Sequence, residues 1–335
     1  AQMGFVVLAA MLFTKLLQYI SQKYQGIKKH SLYVIAKVAI FVSILILSSG
    51  YLTRPFFFIL PNTMDHSAEY EIATWLNQHI DLKTGDRVYL TGTPAFWLNV
   101  FSDVPQIRGG ADNAQPNPWW ADISYQINKG DDSQILRSWL KILNIKYILV
   151  NYPQSGTHYV DYENYERFDG LTEVTKFADG GLVLLTDDSY TPSLFSIIDP
   201  AGKKFTDQIS SKTNTEAINA FADLLPNQPD SRLSYQIIDS DHYQVDVSNL
   251  KPTEKIVFKM NYDSRLTAVD QNGQKVKIET VGPHYVAFTP NNLDSSTIHL
   301  TYGTNKSFIL GVIITAIGVL VAAVLLASRR KKMID

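Results

Sequence analysis

The chain has 335 residues and no cysteine, which excludes disulfide bonds and thiolate-ligated metal sites. Its seven histidines are scattered, and no two of them have the spacing of a known metal-ligand pair. The sequence also lacks a G-x-S-x-G nucleophile elbow, a P-loop and a dinucleotide-binding fingerprint. These absences exclude several enzyme classes, and they leave no catalytic residue and no metal ligand that the sequence alone identifies.

Charged residues are scarce along three apolar stretches. Residues 308–327 carry no charge over about 20 residues, the length that a membrane-spanning helix needs. Residues 32–52 contain only Lys37, near one end, and residues 3–20 resemble the last part of a further span. A signal peptide is the alternative for that first stretch, but no basic region precedes its apolar run. The sequence therefore predicts three transmembrane helices.

The distribution of charge predicts how these helices are oriented. Only basic charges lie between the first two apolar stretches, and a second basic cluster, residues 329–332, follows the third. The positive-inside rule places both clusters in the cytoplasm, so residues 53–306 are expected outside a multi-pass plasma-membrane protein in contact with the lipid bilayer. Because acidic residues outnumber basic ones in that outside part, binding to nucleic acid through its general charge is not expected.

Patterns of helix and strand alternate in the first outside segment, residues 53–190. Ser67 is a capping residue for a helix over 68–80, and the apolar run LNIKYILVN, residues 143–151, predicts a buried and central strand. A tyrosine-rich stretch, residues 158–168, is predicted to be helical. The alternation is typical of an α/β layer domain.

Short strands with alternating apolar residues follow over residues 191–304. At least seven of them predict a β-sandwich, with a hairpin turn at Asn272-Gly273. Asp239-Ser240-Asp241 resembles the D-x-D motif of many sugar transferases, but its place between two strands favours a turn. The predicted fold class is thus a membrane protein of α+β type: two transmembrane helices and a basic loop in residues 1–52, the α/β domain, the β-sandwich, and a last helix with a basic tail in residues 305–335.

One stretch, residues 108–120, has the composition of a binding loop. Arginine holds phosphate or carboxylate with two hydrogen bonds, amides suit sugar hydroxyls, and tryptophan rings stack on sugars. A helix start at Asn117-Pro118 adds free backbone N–H groups suited to an anion. The candidate substrate-binding residues are Arg108, Asp112, Asn113, Asn117, Trp119 and Trp120. A structural or membrane-facing loop is the alternative, in which Asn117 caps its own helix and one tryptophan packs inward.

Three segments carry a family resemblance: EYEIATWLNQHIDLKTGDRVYLTG at 69–92, ILRSWLKILNIKYILVN at 135–151, and VDQNGQKVKIETVGPHYVAFTPNNLDSSTIHLTYG at 269–303. Together they resemble the C-terminal end of a polytopic GT-C-type membrane glycosyltransferase. The last segment is similar to the close of the YfhO-like bacterial membrane proteins and of the pyruvoyl-tetrahydropterin synthase-related membrane domain family. The resemblance covers most of residues 51–335, and its motifs are architectural rather than catalytic.

The resemblance implies a hexosyltransferase that moves a sugar from a lipid-phosphate carrier to a glycan acceptor of the cell envelope. In such enzymes the catalytic carboxylate lies in the first outside loop. It would therefore lie upstream of this chain, as would any divalent metal and further transmembrane helices. The alternative is a non-catalytic, membrane-anchored binding or assembly module, which the lack of an acid/base constellation supports. A hydrolase would need paired carboxylates that one sequence cannot place.

Overall fold

A computed structural model describes residues 67–109, 117–156, 159–200, 214–303 and 310–319. All of them belong to one structural unit, residues 64–335. The helices are α1 (Ala68–His79), α2 (Thr93–Phe101), α3 (Trp120–Lys129), α4 (Ser133–Ile142) and α5 (Thr215–Leu224), and residues 310–319 are also helical. The strands are β1 (Arg87–Tyr89), β2 (Ile145–Asn151), β3 (Thr172–Phe177), β4 (Leu182–Thr186), β5 (Phe195–Ile198), β6 (Leu233–Ile237), β7 (His242–Ser248), β8 (Lys255–Asn261), β9 (Leu266–Asp270), β10 (Ile278–Val281), β11 (Tyr285–Phe288) and β12 (Ser295–Tyr302).

The predicted membrane fold class and plasma-membrane location are corrected by the structure. Within the described ranges, no helix combines the length and the apolar character that crossing a bilayer requires. The first two predicted spans, 3–20 and 32–52, lie outside the described residues, and only 310–319 of the third is described. What the structure shows is an α+β fold with three sheets.

Residues 67–190 form an α/β layer around a four-stranded sheet of order β1-β2-β4-β3. β1 and β2 are parallel, and β4 pairs antiparallel with both of its neighbours. The predicted buried and central strand is confirmed as β2, because its apolar side chains are covered on both faces. Ile148 packs in one core with α3 and α4, and Leu149 packs in another with α1 and α2.

Two helices of this layer begin at side-chain caps, and the first of these caps is the predicted Ser67. The Oγ of Ser67 accepts a hydrogen bond from the Tyr70 N–H at 3.2 Å, and α1 begins at the next residue. The Oδ1 of Asp132 accepts from the N–H groups of Gln134 and Ile135 at 2.8 and 3.2 Å, at the start of α4. These bonds satisfy backbone donors that the first helical turn leaves free.

The helix predicted over residues 158–168 is wrong. Residue 158 lies outside the described residues, and the rest is irregular apart from a short 3₁₀ turn at Tyr165–Phe168. Asn164 has a φ of 54°, in the left-handed region, which no α-helix contains. The guanidinium of Arg167 is buried and donates to the carbonyl of Gly130 at 2.6 Å. Tertiary hydrogen bonds therefore replace helical ones in this stretch.

Residues 193–303 contain two four-stranded antiparallel sheets that face each other. Their orders are β10-β11-β8-β5 and β6-β7-β12-β9. Phe195 and Phe258 of the first sheet stack at 4.5 Å between ring centroids, and they share a core with Val245 and Ile298 of the second. The turn expected at Asn272-Gly273 is present, but β10 does not pair with β9 as in a simple hairpin. It pairs with β11, in the other sheet.

Helix α5 was not predicted within this all-strand segment. The Oδ1 of Asn214 accepts from the Ala217 N–H at 3.2 Å, which starts the helix. Phe221 of α5 is buried with Tyr285 of β11, so this helix covers the outer face of the β10-β11-β8-β5 sheet. The same core contains Ile148 of the α/β layer. One hydrophobic core thus connects the α/β layer of residues 67–190 to the sheets that follow it. The site described below lies between these two parts.

Candidate functional site

The residues of the predicted loop that the structure describes have separate partners. Asp112 and Asn113 lie outside the described residues. The guanidinium of Arg108 makes two contacts with the carboxylate of Asp161, at 2.8 and 3.0 Å. Burial favours the neutral acid, but hydrogen bonds from Arg108 and from the Gly92 N–H hold the pKa of Asp161 below its ordinary value. Arg108 is therefore already engaged by an acid of its own chain.

Asn117 connects the α/β layer to the sheets. Its Oδ1 accepts from the Trp119 N–H at 2.8 Å. Its Nδ2 donates to the Oδ1 of Asn261 at 2.9 Å and to the carbonyl of Pro283 at 3.0 Å. These three bonds occupy the amide and give it a structural role.

The two tryptophans separate as the structural alternative predicted. Trp119 is half-buried against the core, and Trp120 is 4 % exposed in the same cluster as Ile123 and Ile127. Of the candidate residues, Asn117 and Trp120 line a cavity of the described structure.

That cavity has a volume of about 1160 Å³ and lies between the α/β layer and the two sheets. We call it the interlayer cavity. Its inner wall includes Arg87 of β1, Lys259 of β8 and Tyr285 of β11. Its volume slightly exceeds the roughly 300–1,000 Å³ that is typical of small-molecule sites in proteins. The cavity is therefore large enough for an organic ligand rather than a single ion.

Arg87 is the first buried cation of the inner wall, with 8 % of its surface exposed. Its Nη1 donates to the carbonyls of Leu143 at 3.3 Å and Lys259 at 2.8 Å, and its Nη2 contacts the Sδ of Met260 at 2.7 Å. No carboxylate in the described ranges pairs with it. Burial lowers the pKa of Arg87, but a guanidinium stays protonated at neutral pH.

Lys259 is the second buried cation, with 3 % of its surface exposed. Its Nζ makes one long hydrogen bond, 3.4 Å, to the carbonyl of Lys141, and within the described part of the chain it has no carboxylate partner. Burial, followed by the nearby cations Arg87 and Lys141, lowers the pKa of Lys259 to about 7. The cavity wall thus holds an amine whose charge changes near neutral pH.

Two polar atoms of cavity-lining residues have no hydrogen-bond partner among the residues described. The hydroxyl of Tyr285 is one, on a side chain only 2 % exposed, and burial raises its pKa so that it keeps its proton. The Oε1 of Gln106 is the other, and its Nε2 donates to the Ala95 carbonyl at 3.1 Å, which fixes the amide orientation. Buried polar atoms without partners cost stability, so each marks a position where a ligand or water can bond.

Carboxylates surround the outer part of the cavity. The turn predicted at Asp239-Ser240-Asp241 is confirmed between β6 and β7, and the Nδ1 of His242 contacts Asp239 at 2.8 Å. Asp263 pairs with Arg265, which lowers the pKa of Asp263 to about 2. No group of three or more acids or histidines with metal-binding geometry occurs in the described ranges.

Sequence reasoning missed Arg87 and Lys259 because both lie in strands. A partial signal was present: Arg87 begins the apolar run RVYL, and Lys259 stands within the apolar residues of IVFKM. A charged residue that faces a core is rare unless it is paired or functional. The sequence could not show that the two would meet, since they are 172 positions apart.

Comparison with known proteins gives no relative to this fold or site. No family model, curated protein or solved structure matches the chain. Function therefore has to be argued from the chemistry of the interlayer cavity itself.

Proposed function

We propose that the protein is a binding module whose interlayer cavity holds a small molecule with an anionic group. One observation carries the proposal: Arg87 and Lys259 are buried side by side at the cavity wall, and neither has a carboxylate partner in the described structure. A buried and unpaired charge costs several kcal/mol, and backbone carbonyls offset only part of that cost. A bound anion would compensate both cations at once.

The acidic side chains of the cavity suit binding better than carboxylate-based acid/base catalysis. A carboxylate that acts as a general acid needs a pKa raised toward neutrality. Here hydrogen bonds from the Asp241 N–H and from His242 lower the pKa of Asp239, and Arg265 lowers that of Asp263. Both carboxylates are therefore held in the ionised form, which favours the non-catalytic alternative of the sequence analysis.

Glycosyl transfer is the second candidate function. The family resemblance implies a phosphate-linked sugar as donor and a glycan as acceptor, and the combination of cations with Tyr243, Tyr285 and Trp120 in one cavity favours such a donor. Cations bind phosphate, and aromatic rings pack against sugar rings. In that case the catalytic carboxylate would come from residues outside the cavity wall described above.

Lys259→Met is the variant that tests anion binding. It keeps the length of the side chain and removes the buried charge, so the free protein should gain stability, with a rise in Tm of roughly 2–4 °C for each kcal/mol gained. The variant should also lose the stabilisation that millimolar inorganic phosphate gives to the wild type. Thermal unfolding of the full chain, with ionic strength matched by sodium chloride, measures both effects.

Lys275→Met is the matched control, because Lys275 is exposed and lies outside the cavity. It should respond to phosphate as the wild type does. The proposal fails if phosphate stabilises Lys259→Met as much as the wild type, or if it stabilises neither protein.

A further inference from the structure

We infer that the ligand is dipolar, with its anionic group against Arg87 and Lys259 and an ammonium group at the outer carboxylates. The inference rests on the proposed function, since it assigns a charge pattern and an orientation to the ligand of the same cavity. Two sets of groups with opposite charge line one continuous space. We call them the inner pole and the outer pole.

The inner pole consists of Arg87, Lys259 and Tyr285. Arg87 and Lys259 supply positive charge. The side chain of Tyr285 is only 2 % exposed, and its hydroxyl has no hydrogen-bond partner among the described residues. All three donate hydrogen bonds, which matches the acceptor oxygens of a phosphoryl or carboxyl group.

The outer pole consists of Asp103, Asp241 and Gln106. All three line the cavity, and in the described residues neither carboxylate takes part in a side-chain hydrogen bond or ion pair. Arg265 lies within the electrostatic reach of Asp241, but its guanidinium is paired with Asp263. The Oε1 of Gln106 is buried and unpartnered. Carboxylates and amide oxygens only accept hydrogen bonds, so this pole requires a donor, and an ammonium group provides three.

A ligand with a single charge fits only one of the two poles. A simple anion would be attracted by Lys259 and repelled by Asp241, whereas a simple cation would be repelled by Lys259 and attracted by Asp241. The ring of Tyr262, which is 37 % exposed and lines the same cavity, offers a further favourable surface to an ammonium group. Opposite charges at the two ends of one molecule satisfy both poles together.

The experiment compares matched ligands that differ only in the amine. Isothermal titration of the full chain with ω-aminoalkyl phosphates of increasing chain length is set against titration with alkyl phosphates of the same length. The amine should tighten binding by about tenfold at the best chain length and at low salt. Glycerol phosphate, which supplies neutral hydroxyl donors, should bind no better than the alkyl phosphate.

Asp241→Asn removes one outer carboxylate and keeps the size of the side chain. It should abolish most of the advantage of the amine while leaving alkyl phosphate binding unchanged or slightly tighter. Asp294→Asn, at an exposed site outside the cavity, is the matched control and should behave as the wild type does. Lys259→Met should lose both classes of ligand.

The results separate this inference from the proposed function. If no phosphate compound binds the wild type, the proposed function fails. If the alkyl phosphates bind but the amine or Asp241→Asn makes no difference, the cavity binds anions and the dipolar ligand is ruled out. Tighter binding of glycerol phosphate than of the aminoalkyl phosphates would also rule it out, because neutral donors would then suffice.

Discussion

Lys259 makes the stability of the free protein depend on pH. Its pKa falls from 10.5 in the unfolded chain to about 7 in the fold, so the unfolded state binds more protons between these values. Stability should therefore rise as the pH increases from about 7 toward 9.5, by up to about 1 kcal/mol per pH unit. Urea unfolding at a series of pH values measures this slope, and Lys259→Met should lack most of it.

Other titratable groups near Lys259 also contribute to the dependence of stability on pH. Lys141 also has a pKa lowered by burial and adds a smaller slope of the same sign. Tyr243 and Tyr285 have pKa values raised above 10, so their effect has the opposite sign and begins above the chosen range. A wild-type slope no steeper than that of Lys259→Met would show that the amine is not held neutral by burial.

At the scale of elements, Gly282 shows how closely α5 packs on the sheet. This residue joins β10 to β11 with a φ of +56°, and a Cβ built there would lie 2.5 Å from the ring of Phe221. Gly282→Ala should therefore cost on the order of 2–4 kcal/mol, from backbone strain together with the displaced ring. The free energy of unfolding from denaturant titration gives the value.

Gly273→Ala serves as the comparison for that prediction. Gly273 has a φ of +75° in its turn, but a Cβ there would meet nothing within 4 Å. Gly273→Ala should therefore lose only the stability that a positive φ costs an alanine, about 1 kcal/mol. Equal losses for the two variants would mean that Phe221 moves aside at little cost.

The elements that could be predicted are those specified by neighbours in sequence. Ser67 and Asp132 start helices through hydrogen bonds to residues two or three positions away, and the alternating strands of the sandwich follow the same local rule. The helix expected at 158–168 failed because Arg167 and the tyrosines bond to distant carbonyls. The cavity could not be predicted from the sequence for the same reason, since its two buried cations come from strands of different sheets.

On the scale of the whole molecule, Asn117 ties the α/β layer to the sandwich. Asn117→Ala removes bonds to Asn261, Pro283 and the Trp119 N–H, so it should lower stability by about 1–3 kcal/mol. Asn272→Ala, at an exposed turn position, should change stability little. Denaturant unfolding measures the stability of both variants. An unchanged stability for Asn117→Ala would contradict the structural role and favour the ligand-binding role that the sequence suggested for Asn117.

β8 lies where these parts of the molecule meet. Val257 packs in the core shared with the α/β layer, Phe258 packs in the core between the two sheets, and Lys259 faces the cavity. The N–H of Lys259 also donates to the Leu194 carbonyl of the segment before β5 at 3.0 Å. Neither layer can open without breaking contacts of this one strand, so its amides should exchange with solvent deuterium only through global unfolding, and an occupied cavity should slow that exchange across both layers.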